Sequence, residues 1–127
     1  MDLARSNVSV IELLPLASVT GDGNGSGVNV SSLEGPVRVI AQIKNTAGTT
    51  PTMALKLQHS EDDGSTDTYA DVTGGAFTGA TDAAYTPNVL TLNANDLKKY
   101  VRVVKDIGGT SSPAFLVGVI AIGETKY

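Results

Sequence analysis

Hydrophobic and polar residues alternate along several short segments of this chain, a pattern typical of half-buried β-strands. The clearest example is GPVRVIAQIKN, in which every second residue from Val37 to Ile43 is apolar. TMALKLQHS places Met53, Leu55 and Leu57 on one side, and YVRVV places Val101 and Val103 opposite Arg102. These segments predict separate strands, each with one face toward a core.

Two segments are apolar on both faces, NVSVIELLPL near the start and AFLVGVIAIG near the end. Strands of this kind are covered on both sides. We expect AFLVGVIAIG to be a central strand or to be covered by a partner. Residues 1–19 are predicted to form an N-terminal strand or an extended arm that ends at Pro15, and residues 20–127 a single sandwich domain.

Glycine, proline and small polar residues separate the predicted strands. TGDGNGSG has four glycines at alternating positions and predicts a mobile loop, while TAGTTP and GGTSSP predict a loop and a turn. TGGAFTGATDA also predicts a loop, with Phe77 turned inward, and Pro87 indicates an edge strand or a bulge. NANDLKK carries the only helical signals, because Asn93 or Asn95 can cap one turn that directs Leu97 inward.

Eight or so short strands with frequent turns predict an all-β fold. We expect an antiparallel β-sandwich, similar to a jelly roll, with at most one short helical turn near residues 95–99.

The composition fits one small aliphatic domain and excludes several functions. The chain has 127 residues, of which 41% are hydrophobic and 17% charged, with a formal net charge of −4. Its basic residues form no dense stripe, so we predict no nucleic-acid partner. No apolar run approaches the roughly 20 residues of a membrane helix, and the N-terminus lacks a signal-peptide pattern, so we predict no membrane partner. With no cysteine, the chain fits synthesis in a reducing cytoplasm.

The stretch LQHSEDDGSTDTY contains the only histidine, His59, and a cluster of acidic residues. Asp63, Ser65 and Asp67 have the spacing that begins a calcium loop, but Thr68 and Gly74 occupy the positions where such a loop needs glycine and glutamate. A strand followed by Asp-Asp-Gly-Ser and a second strand is typical of a hairpin turn. We therefore interpret this stretch as a turn.

Other candidate sites are equally incomplete. Asp22, Asn24 and Ser26 match the first half of a calcium loop, but Leu33 occupies its last position and Glu34 follows one residue late. His59 could act as a base with a nearby aspartate and serine, but no G-x-S-x-G motif is present. Lys98, Lys99, Arg102 and Lys105 could bind an anion or an acidic partner, although a solvated face explains them as well. We predict no catalytic residue, no cofactor and no metal, and hence no enzyme.

The apolar residues of the N-terminal segment are the candidates for partner binding. They are too many for a solvated tail: Val8, Val10, Ile11, Leu13 and Leu14. They could form an edge strand of the sandwich, or an arm that contacts a neighbouring copy or another protein.

The second half of the chain resembles small structural proteins of tailed bacteriophages. In those proteins a strand with LQxSxDG leads to a motif of the form KRY…GGTSPSF and a final apolar strand. Here LKLQHSEDDGSTDTYADVTGGAF supplies the first part, residues 98–100 stand in the KRY place and residues 108–115 in the GGTSPSF place. The resemblance covers about Leu55 to Tyr127, and DTY at residues 67–69 departs from it, since such proteins often have an aromatic residue closer to the turn.

This resemblance implies a non-enzymatic virion component, made in a bacterial host cytoplasm and located on the capsid surface. It implies a head decoration or cement protein that binds the major capsid protein, as a homo-oligomer in which a trimer is favoured and a dimer is possible. A tail-tube or head–tail connector subunit is the alternative within the virion. A carbohydrate-binding sandwich module is an alternative of another class, for which six phenylalanines and tyrosines in total leave few exposed rings.

Overall fold

The computed structural model describes residues 8–77 and 86–125, of which strands make up 77% and helix 3%. The strands in chain order are β1 (Val8–Val19), β2 (Gly23–Asn24), β3 (Val28–Asn29), β4 (Leu33–Ser60), β5 (Ala70–Ala76), β6 (Thr86–Asn93) and β7 (Tyr100–Thr125). A turn of 3-10 helix, Ala94–Asp96, precedes β7 and is capped by the Asn93 side chain. The predicted all-β fold, including one short helical turn, is confirmed.

The long strands β4 and β7 run through both layers of the sandwich. They pair antiparallel along their whole length, from Leu33 opposite Thr125 to Ser60 opposite Tyr100. In one layer, the first half of β4 and the second half of β7 pair with each other and lie between β6 and β1. We call these four strand segments the β1 sheet. The other halves of β4 and β7 lie between β5 and the short strands β2 and β3, and form the β5 sheet.

The core lies between these two sheets and is built from the alternating residues that the sequence indicated. Phe115, with no exposed surface, is the largest of the fully buried side chains. The buried alternating residues are Val37, Val39, Ala41, Ile43, Met53, Leu55, Leu57, Val101, Val103, Phe115, Val117, Val119 and Ala121. Burial of each large aliphatic side chain stabilises the fold by roughly 1.5–3 kcal/mol.

The strands pass from one sheet to the other at a corner, which the sequence predicted wrongly to be a loop and a turn. TAGTTP and GGTSSP were predicted to be a loop and a turn, but both lie within β4 and β7, where the pairing register slips repeatedly between residues 45 and 52. Each strand places a glycine against a proline of the other. A Cβ on Gly48 would lie 2.7 Å from the Pro113 Cα, and one on Gly109 would lie 2.8 Å from the Pro51 Cα.

The N-terminal segment also differs from its prediction. β1 does not end at Pro15 but continues to Val19, with register shifts on both sides of Leu14. Among residues 8–77 and 86–125, β1 pairs with β7 alone and is an edge strand. Proline is tolerated there because edges and bulges accept a residue that has no N–H group. Residues 1–7 lie outside the described residues.

The Gly-rich loop, predicted to be a mobile loop, contains the short strands β2 and β3 and packs against the sandwich. β2 and β3 pair with β7, and the Gly25 N–H donates to the Val103 carbonyl at 2.6 Å. Gly27 has no side chain to block the Asp63 carboxylate and the Tyr69 hydroxyl, which approach its backbone closely. The loop therefore packs against the segment that joins β4 to β5.

Three local predictions are confirmed in part or in full. Phe77 is buried at 7% exposure, although residues 73–76 just before it belong to β5 rather than to a loop. β6 pairs with β4 alone in the part of the chain that the structure describes, as expected for the edge strand that Pro87 indicated. The central position predicted for AFLVGVIAIG is confirmed, because this part of β7 lies between β1 and β4. The rest of the predicted TGGAFTGATDA loop falls on residues 78–83, outside the described residues.

Candidate interaction surface

The acidic stretch after β4 is a closed turn whose carboxylates accept hydrogen bonds from their own segment. Asp62 accepts from the N–H groups of Thr66 at 2.9 Å and Asp67 at 3.0 Å, and from the Thr66 hydroxyl. The buried Ser60 hydroxyl donates to the Asp67 carbonyl at 2.6 Å and accepts from the Gly64 N–H. Gly64 has φ of +81°. The turn prediction is confirmed, although β5 begins only at Ala70.

These hydrogen bonds lower the pKa of Asp62 to about 2 from its ordinary value of 3.8, chiefly through the Thr66 hydroxyl and then through the backbone N–H groups. Within residues 8–77 and 86–125, no three metal-binding side chains come together.

The pKa of Asp62 predicts a specific loss of stability in acid. A carboxyl group whose pKa is lower in the folded state stabilises the fold above the unfolded pKa and loses this contribution as the pH falls toward the folded value. We expect Asp62→Asn to lower the melting temperature at pH 6, and the difference from the wild type to shrink between about pH 4 and about pH 2. Melting curves across this range test it. Asp106→Asn, at the edge of the corner, is the matched control, and a difference that stays constant with pH contradicts the prediction.

The His59 side chain makes a hydrogen bond to the backbone just before β7. Its Nδ1 accepts a hydrogen bond from the Lys98 N–H at 3.3 Å, and burial together with the nearby Lys98 charge lowers the pKa of the imidazole. Asp22, the first residue of the second calcium-like pattern, accepts from the Ile107 N–H at 2.8 Å and so ties the Gly-rich loop to β7. Both side chains thus have structural partners.

Two of the basic residues before and within β7, Lys98 and Arg102, have partners within the chain. Lys98 forms an ion pair with Asp67 at 2.9 Å. Arg102 donates to the Gln58 side chain and lies 4.1 Å from the centre of the Tyr69 ring. One face of Tyr69 is therefore covered by a guanidinium group and is not open for stacking on a sugar. Tyr69 also donates to Asp63, and burial raises its pKa to about 12.

The most distinctive surface is the outer side of the β1 sheet, the side that faces away from the core. All four exposed large hydrophobic residues of the described chain lie there, with exposures of 61% for Val8, 62% for Val10, 58% for Leu16 and 54% for Val89. Half-buried residues join them into a continuous surface. We call it the outer apolar face: Val8, Val10, Leu16, Ile40, Val89, Leu116, Ile120 and Ile122.

Strand pairing fixes the arrangement of this face. Residues directly opposite each other in an antiparallel sheet lie on the same side, and they form rows across the four strands. One row runs Glu12, Ile120, Ile40, Val89, and the next runs Val10, Ile122, Arg38, Thr91. Leu16 covers the position of Gly118, where a Cβ would lie 3.1 Å from Leu16 Cδ1. Aliphatic side chains therefore occupy the centre, with charges beside them.

The structure divides the five partner-binding candidates of the N-terminal segment between two sides. Leu13 is buried at 2% exposure, and Ile11 and Leu14 pack against the core, so core packing accounts for these three. Val8 and Val10 belong to the outer apolar face. Partner binding by the five residues stays a prediction.

Most of the outer apolar face was not predicted from the sequence. The sequence contains one signal for this face, because AFLVGVIAIG is apolar on both sides and contains Leu116, Ile120 and Ile122. Ile40 stands among Arg38, Gln42 and Lys44 on a strand side that reads as polar, and Val89 lies on a strand that is distant in sequence from β7. Only the pairing of these strands brings the residues together.

Neither a protein-family model nor a curated protein sequence matches this chain significantly. Solved structures do match over nearly its whole length. A protein of infectious bursal disease virus, Gt strain, is 13% identical with a TM-score of 0.56, and the match covers 97% of this chain and 34% of the viral chain. The VP2 protein of that virus, in derived T=1 particles, is among the similar structures.

Two further similar structures are nearer in length to this chain. The CBM22-1 xylan-binding domain of Paenibacillus barcinonensis Xyn10C is 18% identical with a TM-score of 0.54, over 97% of this chain and 85% of that domain. The SPBc2 prophage-derived protein YomS is 9% identical with a TM-score of 0.54, over 97% of this chain and 99% of its own. This chain thus spans about a third of the viral chain and most of the other two. The matches show the fold alone, which is a jelly-roll β-sandwich.

Among residues 8–77 and 86–125, the structure contains no helix that is long and apolar enough to cross a membrane.

Proposed function

We propose that this chain is a non-enzymatic structural protein of a tailed-phage virion, located on the capsid surface. In this role it is a decoration or cement protein that binds the major capsid protein and stabilises the head. The observation that carries the proposal is the outer apolar face, which collects all four exposed large hydrophobic residues of the described chain on one side of one sheet.

An apolar surface of this kind is a feature of proteins that assemble. Single exposed hydrophobic residues are normal on a protein surface, but a contiguous group marks a contact site. The side chains here stand on the β1 sheet, whose inner side is the core, so they are held in place without a partner. A rigid apolar surface loses little conformational entropy on binding.

The fold and the sequence resemblance are two further observations that support the role of a virion structural protein. Jelly-roll sandwiches of similar architecture occur in a virus protein and in a prophage-derived protein. The segments that resemble phage structural proteins supply much of the sandwich, including β5, β6 and β7. A decoration protein also gains from multivalency, since several weak contacts to one capsid sum to a strong attachment.

Binding to capsids tests the proposal directly. Heads of the encoding phage that lack this protein are mixed with increasing amounts of the purified chain and sedimented, and the heads are then heated. We expect saturable co-sedimentation and a higher temperature of head disruption, because a ligand that binds the assembled state stabilises it. A chain that stays in the supernatant at every concentration contradicts the proposal. Isolated tails of the same phage serve as the control, and binding to tails instead would favour the tail-tube or connector alternative.

A further inference from the structure

The β1 sheet ends on each side in a strand with a single pairing partner. Within residues 8–77 and 86–125, β1 pairs with β7 alone and β6 pairs with β4 alone. The outward backbone N–H and C=O groups of such edge strands are open to pairing with another chain. Proteins commonly protect these edges with charged side chains, prolines, bulges or very short strands.

The edges of the β5 sheet carry such protection. The strands β2 and β3 are two residues long each. β5 contains two glycines and the exposed Asp71, and its pairing with β4 includes a register shift. These features oppose pairing of the β5 sheet with another chain.

The edges of the β1 sheet are less protected. β6 pairs with β4 over Thr86–Asn93 without a register shift and contains no charged residue. The first part of β1, residues 8–12, also pairs without a shift, and Glu12 is its one charged residue. Pro87 stands near the start of β6 and Pro15 follows this part of β1, so each strand keeps a regular segment without proline.

Exposed apolar side chains are concentrated on these two edge strands. Val8 and Val10 of β1 are 61% and 62% exposed, and Val89 of β6 is 54% exposed. They are three of the four exposed large hydrophobic residues of the described chain, and all three lie on the outer side of the β1 sheet. A contact that joins the two edges therefore covers apolar surface on both strands.

The directions of the strands fit a contact between β6 of one copy and β1 of the next. Each neighbouring pair in the β1 sheet is antiparallel, in the order β1, β7, β4, β6, so β1 and β6 run in opposite directions. When a second copy stands beside the first with its sheet facing the same way, its β1 lies antiparallel to the β6 of the first. The sheet then continues across the junction with the same type of pairing.

One register places Val89 of the first copy directly opposite Val10 of the second. Glu12 then lies opposite Pro87, so like charges do not meet between the two edge strands. The row that contains Val89 and Val10 becomes aliphatic across both copies: Ile120, Ile40 and Val89 of the first, then Val10 and Ile122 of the second.

A buried amide on β6 supports pairing at this edge. The Asn88 side chain is 9% exposed, and its Nδ2 has no hydrogen-bond partner within the described residues. Buried polar groups without a partner are rare in folded proteins. In the register above, Asn88 lies opposite Ile11 of the second copy and diagonal to Ser9, at about 7–8 Å between Cα atoms. The half-buried Ser9 hydroxyl lies on the same side of the sheet and can accept a hydrogen bond from this Nδ2.

We infer that β6 of one copy pairs antiparallel with β1 of the next copy, so that the β1 sheets of neighbouring copies form one continuous sheet. The contact is head-to-tail, because each copy offers β1 to one neighbour and β6 to another. Contacts of this kind form a ring if the rotation between copies closes, and an open chain if it does not. This contact goes beyond the proposed function, since it joins copies to each other and leaves the outer apolar face open toward the capsid.

Sedimentation of the purified full chain from about 1 µM to about 1 mM tests the contact. We expect the mass of the wild type to rise with concentration beyond that of two 13.0 kDa chains. The β1 variant, Val8→Lys with Val10→Lys, and the β6 variant, Val89→Lys with Thr91→Lys, place lysines on one edge each, which opposes pairing. Each variant is expected to raise the dissociation constant about tenfold or more. All four side chains are exposed, so both variants remain folded.

A control variant separates edge pairing from the added charge. Ala54→Lys with Thr73→Lys changes the net charge by the same amount at exposed positions of the β5 sheet. We expect this control to assemble as the wild type does. If the control dissociates as strongly as the β1 and β6 variants, the added charge explains the loss and the inference is overturned.

An equimolar mixture of the β1 variant and the β6 variant identifies which edges pair. The β1 variant keeps an intact β6 and the β6 variant keeps an intact β1, so a head-to-tail contact leaves one intact junction between them. We expect each variant alone to be monomeric and the mixture to form a 1:1 heterodimer that grows no further. If β1 paired with β1, the β6 variant alone would dimerise, and if β6 paired with β6, the β1 variant alone would dimerise. Either of these results overturns the inference.

The outcomes separate this inference from the proposed function. A wild type that stays monomeric to about 1 mM overturns the inference, as does assembly that survives in both edge variants or a mixture that stays monomeric. A monomeric wild type that binds heads overturns the head-to-tail contact and supports the proposed function. A wild type that assembles through its edges as expected but ignores heads supports the inference and contradicts the proposed function.

Discussion

Replacing Phe115 with alanine is expected to lower the free energy of unfolding by about 3–5 kcal/mol. Phe115 has no exposed surface and is the largest of the fully buried side chains. It stands where β7 leaves the corner, between Val19 of β1 and Asn45 of β4, so its ring fills the space between the two sheets at this end. Small domains are stable by only about 5–15 kcal/mol, so this single change removes a large part of the total.

Urea denaturation measures this loss as a shift of the midpoint at constant slope. Leu116→Ala is the matched control, because Leu116 is the next residue along β7 and points to the opposite side. We expect Leu116→Ala to lower the free energy of unfolding by about 1 kcal/mol in dilute protein, because this side chain is only half-buried. A slip of one residue exchanges the two faces of a strand. A larger loss of stability in Leu116→Ala than in Phe115→Ala would therefore show that the register of β7 is wrong.

Replacing Gly109 with alanine is expected to be the second most damaging change, although it adds only one methyl group. Gly109 has φ of +116°, a conformation that costs residues with a side chain about 1–3 kcal/mol. The added Cβ would also lie 2.8 Å from the Pro51 Cα and 3.1 Å from the carbonyl oxygens of Thr49 and Thr50. These are backbone atoms of the partner strand, so the corner itself must move, at a further cost of about 1–3 kcal/mol.

The Gly21→Ala variant separates this effect from the general effect of removing a glycine. Nothing lies within 4 Å of a Cβ at Gly21, and its φ is not positive. We expect its midpoint of urea denaturation to remain within experimental error of the wild type, while that of Gly109→Ala falls clearly. Equal midpoints for the two variants would contradict the glycine–proline packing at the corner.

Local patterns were sufficient to predict the strands and the turn. Alternation from Val37 to Ile43 identified which side chains face the core, because period-two patterns depend on the chain alone. The turn at residues 61–69 was predictable because aspartate and glycine act within their own segment, as the hydrogen bonds of Asp62 and the positive φ of Gly64 show.

The corner and the outer apolar face were not predictable from local patterns. Glycine and proline in TAGTTP and GGTSSP give the same signal whether a strand ends or bends, and here Gly48 and Gly109 serve to admit prolines of the opposite strand. The outer apolar face depends on pairing between strands that are far apart in sequence, as when Val89 lies beside Ile40 and Ile40 beside Ile120. Which apolar residues end up outside is thus a property of the sheet.

The position of the protein in the virus particle tests the proposed function most directly. Electron cryomicroscopy of mature particles of the encoding phage would locate this sandwich by its two sheets and its bent strands β4 and β7. We expect density for it on the outer surface of the head, in contact with the major capsid protein. Density within the tail tube or the head–tail connector, or particles without the protein, would contradict the proposed function.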